Sequence, residues 1–138
     1  MTNEQETKAV DSTPSQSVRS YQIPSTLILT KDEKDNLLRL IECIREITGV
    51  DPELYMDTKS QKATYVYLRQ ISAYLMRKYT RLTLREIGVV QGYRDHSSII
   101  HSTKLVESWL EGAPGYGYEK KLTEQIMKNY GEKCEAFV

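Results

Sequence analysis

Thr83-Leu84-Arg85-Glu86-Ile87-Gly88, followed by Gly92-Tyr93-Arg94-Asp95-His96-Ser97-Ser98-Ile99-Ile100-His101, is the stretch whose reading decides the fold. Thr83 and Glu86 have capping-box spacing, in which each side chain satisfies a free backbone amide at a helix start. A short helix is therefore expected from Leu84 to about Gln91, with Gly92 suited to the turn after it. Asp95 has the position and chemistry of a second N-cap. The pattern is helix, tight turn, helix. The second helix opens on His96, Ser97 and Ser98, a run too polar for a core.

The flanking sequence extends the helical pattern in both directions. Thr30-Lys31-Asp32-Glu33 is another capping box, after which Leu37, Leu40, Ile41, Ile44 and Ile47 recur at helical spacing until Gly49. A first helix is expected over about 31–48, with Cys43 near its apolar side. Asp51-Pro52 reads as an N-cap with proline at the first helical position, opening a short turn through Leu54 and Tyr55. A polar loop, 57–62, precedes a helix over about 63–80, with Leu68, Ile71, Leu75 and Tyr79 on one face and Tyr67 and Tyr74 beside it. In the helix after Asp95 the expected buried stripe is Ile99, Thr103, Val106 and Leu110, with Trp109 adjacent. Gly112-Ala113-Pro114-Gly115-Tyr116-Gly117 is a breaker. A last amphipathic helix, about 118–130, offers Leu122, Ile126 and Tyr130. No strand pattern competes and no repeat appears. The expected fold is a small all-α domain over 27–131, between an N-terminal arm, 1–26, disordered by its polar composition, and a polar tail, 132–138.

Composition narrows the function classes. A chain of 138 residues, 39% apolar and 28% charged, fits one globular domain. No apolar run nears the roughly 20 residues needed to span a membrane. The polar start lacks the basic and apolar regions of a secretion signal, so a cytoplasmic location is expected. Cys43 and Cys134 form no zinc pattern with the two histidines and read as reduced thiols. His96 and His101, five residues apart, are poorly placed for one metal ion. No nucleophile–base pair, carboxylate cluster or G-x-x-x-x-G-K-[ST] loop is present. The expectations are no enzyme activity, no cofactor, no metal and no bound nucleotide.

Net charge is zero, yet it is unevenly spread. Residues 57–104 hold nine Lys and Arg (Lys59, Lys62, Arg69, Arg77, Lys78, Arg81, Arg85, Arg94, Lys104) against three acids (Asp57, Glu86, Asp95), a net of +6. The flanks carry the compensating −6. A basic centre coinciding with a helix-turn-helix is the electrostatic footprint of DNA binding. Such proteins read base edges from the N-terminal turn of the second helix. Sequence-specific binding of double-stranded DNA is the leading expectation.

The same residues carry a family resemblance. The block from Thr83 to His101 resembles the C-terminal DNA-binding domain of the bacterial replication initiator DnaA, whose signature is close to G-x-R-D-H-[ST]-[ST]-V-x-H preceded by S-L-x-E-I-G. The likeness extends more loosely over about 33–130 and includes Arg69-Gln70-Ile71 and the long first helix. It implies an all-helical domain with a Trp-repressor or DnaA type of helix-turn-helix, binding double-stranded DNA at short A/T-rich boxes. It further implies that Asp95, His96, Ser97, Ser98 and His101 lie at the DNA, with Arg94 and Lys104 binding phosphates or supporting those contacts. There are two departures. The family's minor-groove arginine falls on or near Gln61 in the loop Lys59-Ser60-Gln61-Lys62, so that minor-groove readout is either lost or passes to Lys59 or Lys62. The family's ATPase domain has no counterpart in these residues, which implies binding without ATP-driven assembly.

Each candidate also has a plainer role. Asp95 caps its helix whether or not its second oxygen accepts from a cytosine amino group. His96 is either a DNA contact or a solvated surface histidine. His101, about 140° round the helix from His96, is either at the DNA or partly buried against backbone. Ser97 and Ser98 are good first-turn residues and small enough for close approach to bases. Arg85, Arg94 and Lys104 each suit a phosphate, and Tyr93 in the turn could donate to one. The competing function is a protein-interaction module on the same fold, with a partner held through the N-terminal arm or first helix and only weak, non-specific DNA binding. Acting as a regulator, the chain would belong to a bacterium or phage, associated with the nucleoid and acting in replication or transcription control.

Overall fold

A computed structural model of the chain describes residues 22–56 and 60–136, with side chains as far as Glu132. Among the described residues there are six helices and no strand. They are α1 (Lys31–Thr48), α2 (Pro52–Met56), α3 (Ala63–Tyr79), α4 (Leu84–Val90), α5 (His96–Leu110) and α6 (Gly117–Ala136). The fold is all-α, as the pattern of caps and periodicities implied.

Both capping boxes form. Thr30 Oγ1 accepts from the Glu33 amide at 3.1 Å while Glu33 Oε1 accepts from the Thr30 amide at 2.8 Å. Thr83 and Glu86 repeat the arrangement at 3.1 and 2.8 Å. These reciprocal bonds satisfy amides that have no partner within the helix and fix where α1 and α4 begin. Helix α1 ends at Gly49, whose amide returns to the Arg45 carbonyl.

The core is one apolar cluster. Leu37, Leu40, Ile41, Cys43 and Ile44 of α1 meet Leu68, Ile71, Leu75 and Met76 of α3, Ile87 and Val90 of α4, Ile99, Val106 and Trp109 of α5, and Leu122, Ile126 and Tyr130 of α6. Helix α3 lies at the centre and packs most extensively on α5, while α4 packs on α5. Tyr67, Tyr74 and Tyr79 sit at the core edge, partly buried. The Tyr79 ring lies 4.8 Å from that of Tyr130, tying α3 to α6.

Two local expectations, the inward face of α5 and the end of α6, are corrected. The inward face of α5 is Ile99, Ser102, Val106 and Trp109, with Thr103 and Leu110 at its edge. Trp109 offers the largest apolar surface on the helix, and the face turned inward is the one that buries it. In α2 Tyr55 is fully buried while Leu54 is 41% exposed, because one helical turn can point only part of its circumference at α3. Helix α6 continues to Ala136 instead of giving way to a tail at 132. Gly131 does not stop it, since an interior glycine costs only about 1 kcal/mol relative to alanine and the following residues are good helix formers. Of the arm expected over 1–26, residues 1–21 lie outside the described residues. Within 22–26, Ile23 packs against the core.

Candidate nucleic-acid interface

The turn between α4 and α5 is held by backbone contacts that admit few alternatives. The Gln91 amide reaches the carbonyls of Ile87 and Gly88, both at 3.1 Å, and the Arg94 amide returns to the Gly88 carbonyl at 2.8 Å. Gly92 and Tyr93 both have left-handed backbones, φ 78° and 65°. The reversal brings Arg94 onto α4 so closely that a Cβ on Gly88 would lie 2.2 Å from the Arg94 carbonyl oxygen. Gly88 in the sequence motif is therefore a close-approach residue, and it sets how α5 leaves the turn.

Asp95 caps α5, its Oδ2 accepting from the Ser97 amide at 3.0 Å. Hydrogen bonds from Ser97, side chain first and backbone next, hold the Asp95 carboxyl below its ordinary range. Its other oxygen, Oδ1, lies 3.7 Å from Nδ1 of His96. Asp95, His96, Ser97, His101 and Lys104 are exposed and Ser98 is half-buried, while Ile99 and Ser102 face the core. The partly buried alternative for His101 is thus set aside. Ser97, His101 and Lys104 follow one another at helical spacing, so they share the outer face of α5.

Cations surround this face. Arg85 is exposed on α4, and Arg94 is half-buried in the turn with its Nε buried and without a hydrogen-bond partner among the described residues. Behind Lys104, a groove of about 410 Å³ between α3 and α5 adds Arg77 and Lys78, with Tyr74, Leu84 and Ile100 as its apolar lining and Glu107 as its acid. Lys62 is exposed at the start of α3, its Nζ 5.1 Å from the Tyr65 ring centroid. Lys59 lies outside the described residues.

Two candidates change character. Arg69, counted in the basic stretch, is only 5% exposed and faces inward. Its Nε donates to the Tyr55 carbonyl at 2.8 Å and its terminal nitrogen to the Ser60 carbonyl at 3.0 Å. Burial, and then the charge of Arg94, push its pKa down. Arg69 is a structural clamp on the loop before α3. Tyr93 is 64% exposed, and its hydroxyl lies 3.0 Å from Thr26 Oγ1, so it ties the segment before α1 to the turn instead of standing free as a donor.

Sequence reasoning missed Gln91. It is 2% exposed, and its Nε2 donates to the Arg69 carbonyl at 2.9 Å and to Ser72 Oγ at 2.7 Å. Those partners lie 22 and 19 positions away, and no local pattern announces such bonds. Among the described residues, no group of three His, Cys, Asp or Glu side chains is placed to hold a metal ion, and no helix is long and apolar enough to cross a membrane.

Comparison with known proteins converges on this region. The family model of the bacterial DnaA protein helix-turn-helix matches residues 38–106. Chromosomal replication initiator proteins DnaA are similar to the chain. That of Geotalea daltonii is 44% identical over 74 residues, 52% of this chain and 16% of that protein. That of Lachnoclostridium phytofermentans is 38% identical over 78 residues, 56% and 17%. That of Clavibacter sepedonicus is 32% identical over 109 residues, 75% and 22%. The chain thus spans about a sixth to a fifth of the length of these relatives. No solved structure gives a significant match.

Proposed function

The chain belongs to the bacterial DnaA helix-turn-helix family, and from that premise we propose that it reads double-stranded DNA sequence-specifically at A/T-rich, DnaA-box-like sites. Occupying those sites is how it acts in replication or transcription control. One observation carries this reading: an exposed row of hydrogen-bonding side chains on the first two turns of α5, flanked by cations on α4, the turn and α5 itself. Asp95, His96, Ser97 and Ser98 meet base edges or the nearest phosphates, and His101 extends the row. Asp95 can keep its cap through Oδ2 and still offer Oδ1 to a base amino group. Arg85, Arg94 and Lys104 neutralise phosphates and set register without reading sequence. Lys62, exposed at the start of α3, approaches the neighbouring minor groove, and Lys59 precedes it by three positions in the sequence. Tyr93 contributes to a phosphate contact when its bond to Thr26 yields.

Fluorescence-anisotropy titration of a DnaA-box duplex against a scrambled duplex tests the reading. The expected preference for the box is at least about 100-fold, in keeping with the wide span of specific over non-specific binding. Asp95→Ala and His96→Ala should erase it. Equal, weak binding to both duplexes would favour the second reading, a protein-interaction module, which the zero net charge of the whole chain suits.

A further inference from the structure

We infer that Gln91 is a positioning residue that, through Arg69, locks the loop before α3 to the turn before α5, so that the two DNA-facing elements read as one unit. The inference rests on the DNA-binding reading for its consequence, and on buried hydrogen bonds for its mechanism.

The linkage has two halves meeting at one residue. On one side the Arg69 guanidinium forks onto the carbonyls of Tyr55 and Ser60, which bracket the loop leading to Lys62. On the other, the Arg69 main-chain carbonyl accepts from Gln91 Nε2, with Ser72 Oγ bonded to the same carbonyl at 2.9 Å and to Gln91 at 2.7 Å. Arg69, Ser72 and Gln91 are each at most 5% exposed. Gln91 immediately precedes the left-handed pair Gly92 and Tyr93, so a shift of its side chain is a shift of the turn.

An amide in this position is not needed for filling space, because an apolar side chain of similar length would fill it. Burying an amide is costly unless it is bonded, so the donors of Gln91 specify one orientation of the turn relative to α3. The Gln91 Oε1 acceptor and the Arg94 Nε donor are both buried and without a hydrogen-bond partner among the described residues. The bonded network thus runs from Ser60 through Arg69 and Ser72 to Gln91, the residue that opens the turn. Movement of the loop upon DNA and movement of the recognition turn are then mechanically linked.

The test is a double-mutant cycle in DNA affinity between Lys62→Ala in the loop and Ser97→Ala on α5, run in the parent and in Gln91→Met. Methionine keeps the length and volume but removes the donors. In the parent, the combined loss should depart from the product of the single losses by about threefold or more, as for residues sharing one network. In Gln91→Met the losses should multiply to within about twofold. Multiplicative losses in the parent, or an unchanged departure in Gln91→Met, would overturn the linkage. Ser72→Ala removes one partner more gently and should weaken the coupling in the same direction if Gln91→Met does not fold. A DNA-free readout separates this inference from the functional one. The backbone amide resonances of Ser60, Gln61 and Lys62 should shift in Gln91→Met or Ser72→Ala, and unmoved resonances refute the linkage whether or not DNA binds.

Discussion

Replacing Gly88 by alanine should damage the protein at the one point where α4 and the start of α5 meet backbone to backbone. The added Cβ would lie 2.2 Å from the Arg94 carbonyl oxygen and 3.3 Å from its carbon, whereas Cβ atoms essentially never approach another heavy atom within 3.0 Å. The obstructing atom is main chain, so no rotamer change can withdraw it, and the turn must shift to make room. The 2.8 Å bond from the Arg94 amide to the Gly88 carbonyl lengthens as it does. Overpacking of this kind costs about 1–3 kcal/mol, and the weakened bond adds about 1 kcal/mol. Alanine's better helix propensity returns about 1 kcal/mol. The net expectation is a loss of about 1–3 kcal/mol, which lowers the melting temperature by about 5–20 °C for a domain of this size. Thermal unfolding followed by circular dichroism reads it directly. Gly131→Ala is the internal control: it lies within α6, an added Cβ there would meet nothing within 4 Å, and the change should gain up to about 1 kcal/mol. A Gly88→Ala protein as stable as its parent, alongside a normal Gly131→Ala, would refute the close-approach argument.

Tyr93→Gly should raise stability by about 1 kcal/mol in urea denaturation, since it relieves a left-handed backbone at φ 65° whose strain exceeds the worth of an exposed bond to Thr26. Arg85→Ala and Lys104→Ala should each reduce the slope of log affinity against log salt by about 0.9, whereas Arg69→Met should leave that slope alone and instead cost about 1–3 kcal/mol in chemical denaturation through the loss of its two buried bonds to the carbonyls of Tyr55 and Ser60. Asp95 has its folded pKa depressed, so its cap is complete above the ordinary carboxylate range and lost as pH falls through the lowered folded value. Its contribution to α5 should be flat from neutral pH to about pH 5 and fail only in stronger acid, and Asp95→Asn should flatten that acid limb of a pH–stability curve.

The sequence resolved those parts of the fold that are set by neighbours in the chain. Capping boxes at Thr30 and Thr83, the Gly49 stop and the Asp95 cap are interactions over three or four residues, and each formed with the bonds its chemistry required. The inward face of α5 was misplaced by one position because periodicity alone weighs Thr103 with Leu110, and only packing against α3 favours the face holding Ser102 and Trp109. The polar interior was invisible. Arg69 looked like one more cation in a basic stretch, since nothing local distinguishes a solvated arginine from one whose fork meets two carbonyls nine and fourteen residues away. Gln91 belongs to the same class, because its bonds are to α3, as does the Tyr93 hydroxyl, whose partner Thr26 lies 67 positions away. The outer face of α5 was legible for the opposite reason. Four polar residues after a turn have no core to enter, and exposure was the only place for Asp95, His96 and Ser97.

The central claim is that the outer face of α5 reads base sequence, and in vitro selection from a random duplex library at about 150 mM salt tests it most directly. Retained duplexes should converge on one A/T-rich motif resembling a DnaA box, and that enrichment should vanish when the selection is repeated with Asp95→Ala. Retention without any motif would contradict the account, leaving the cations of α4 and α5 as a phosphate-binding surface that does not discriminate between sequences.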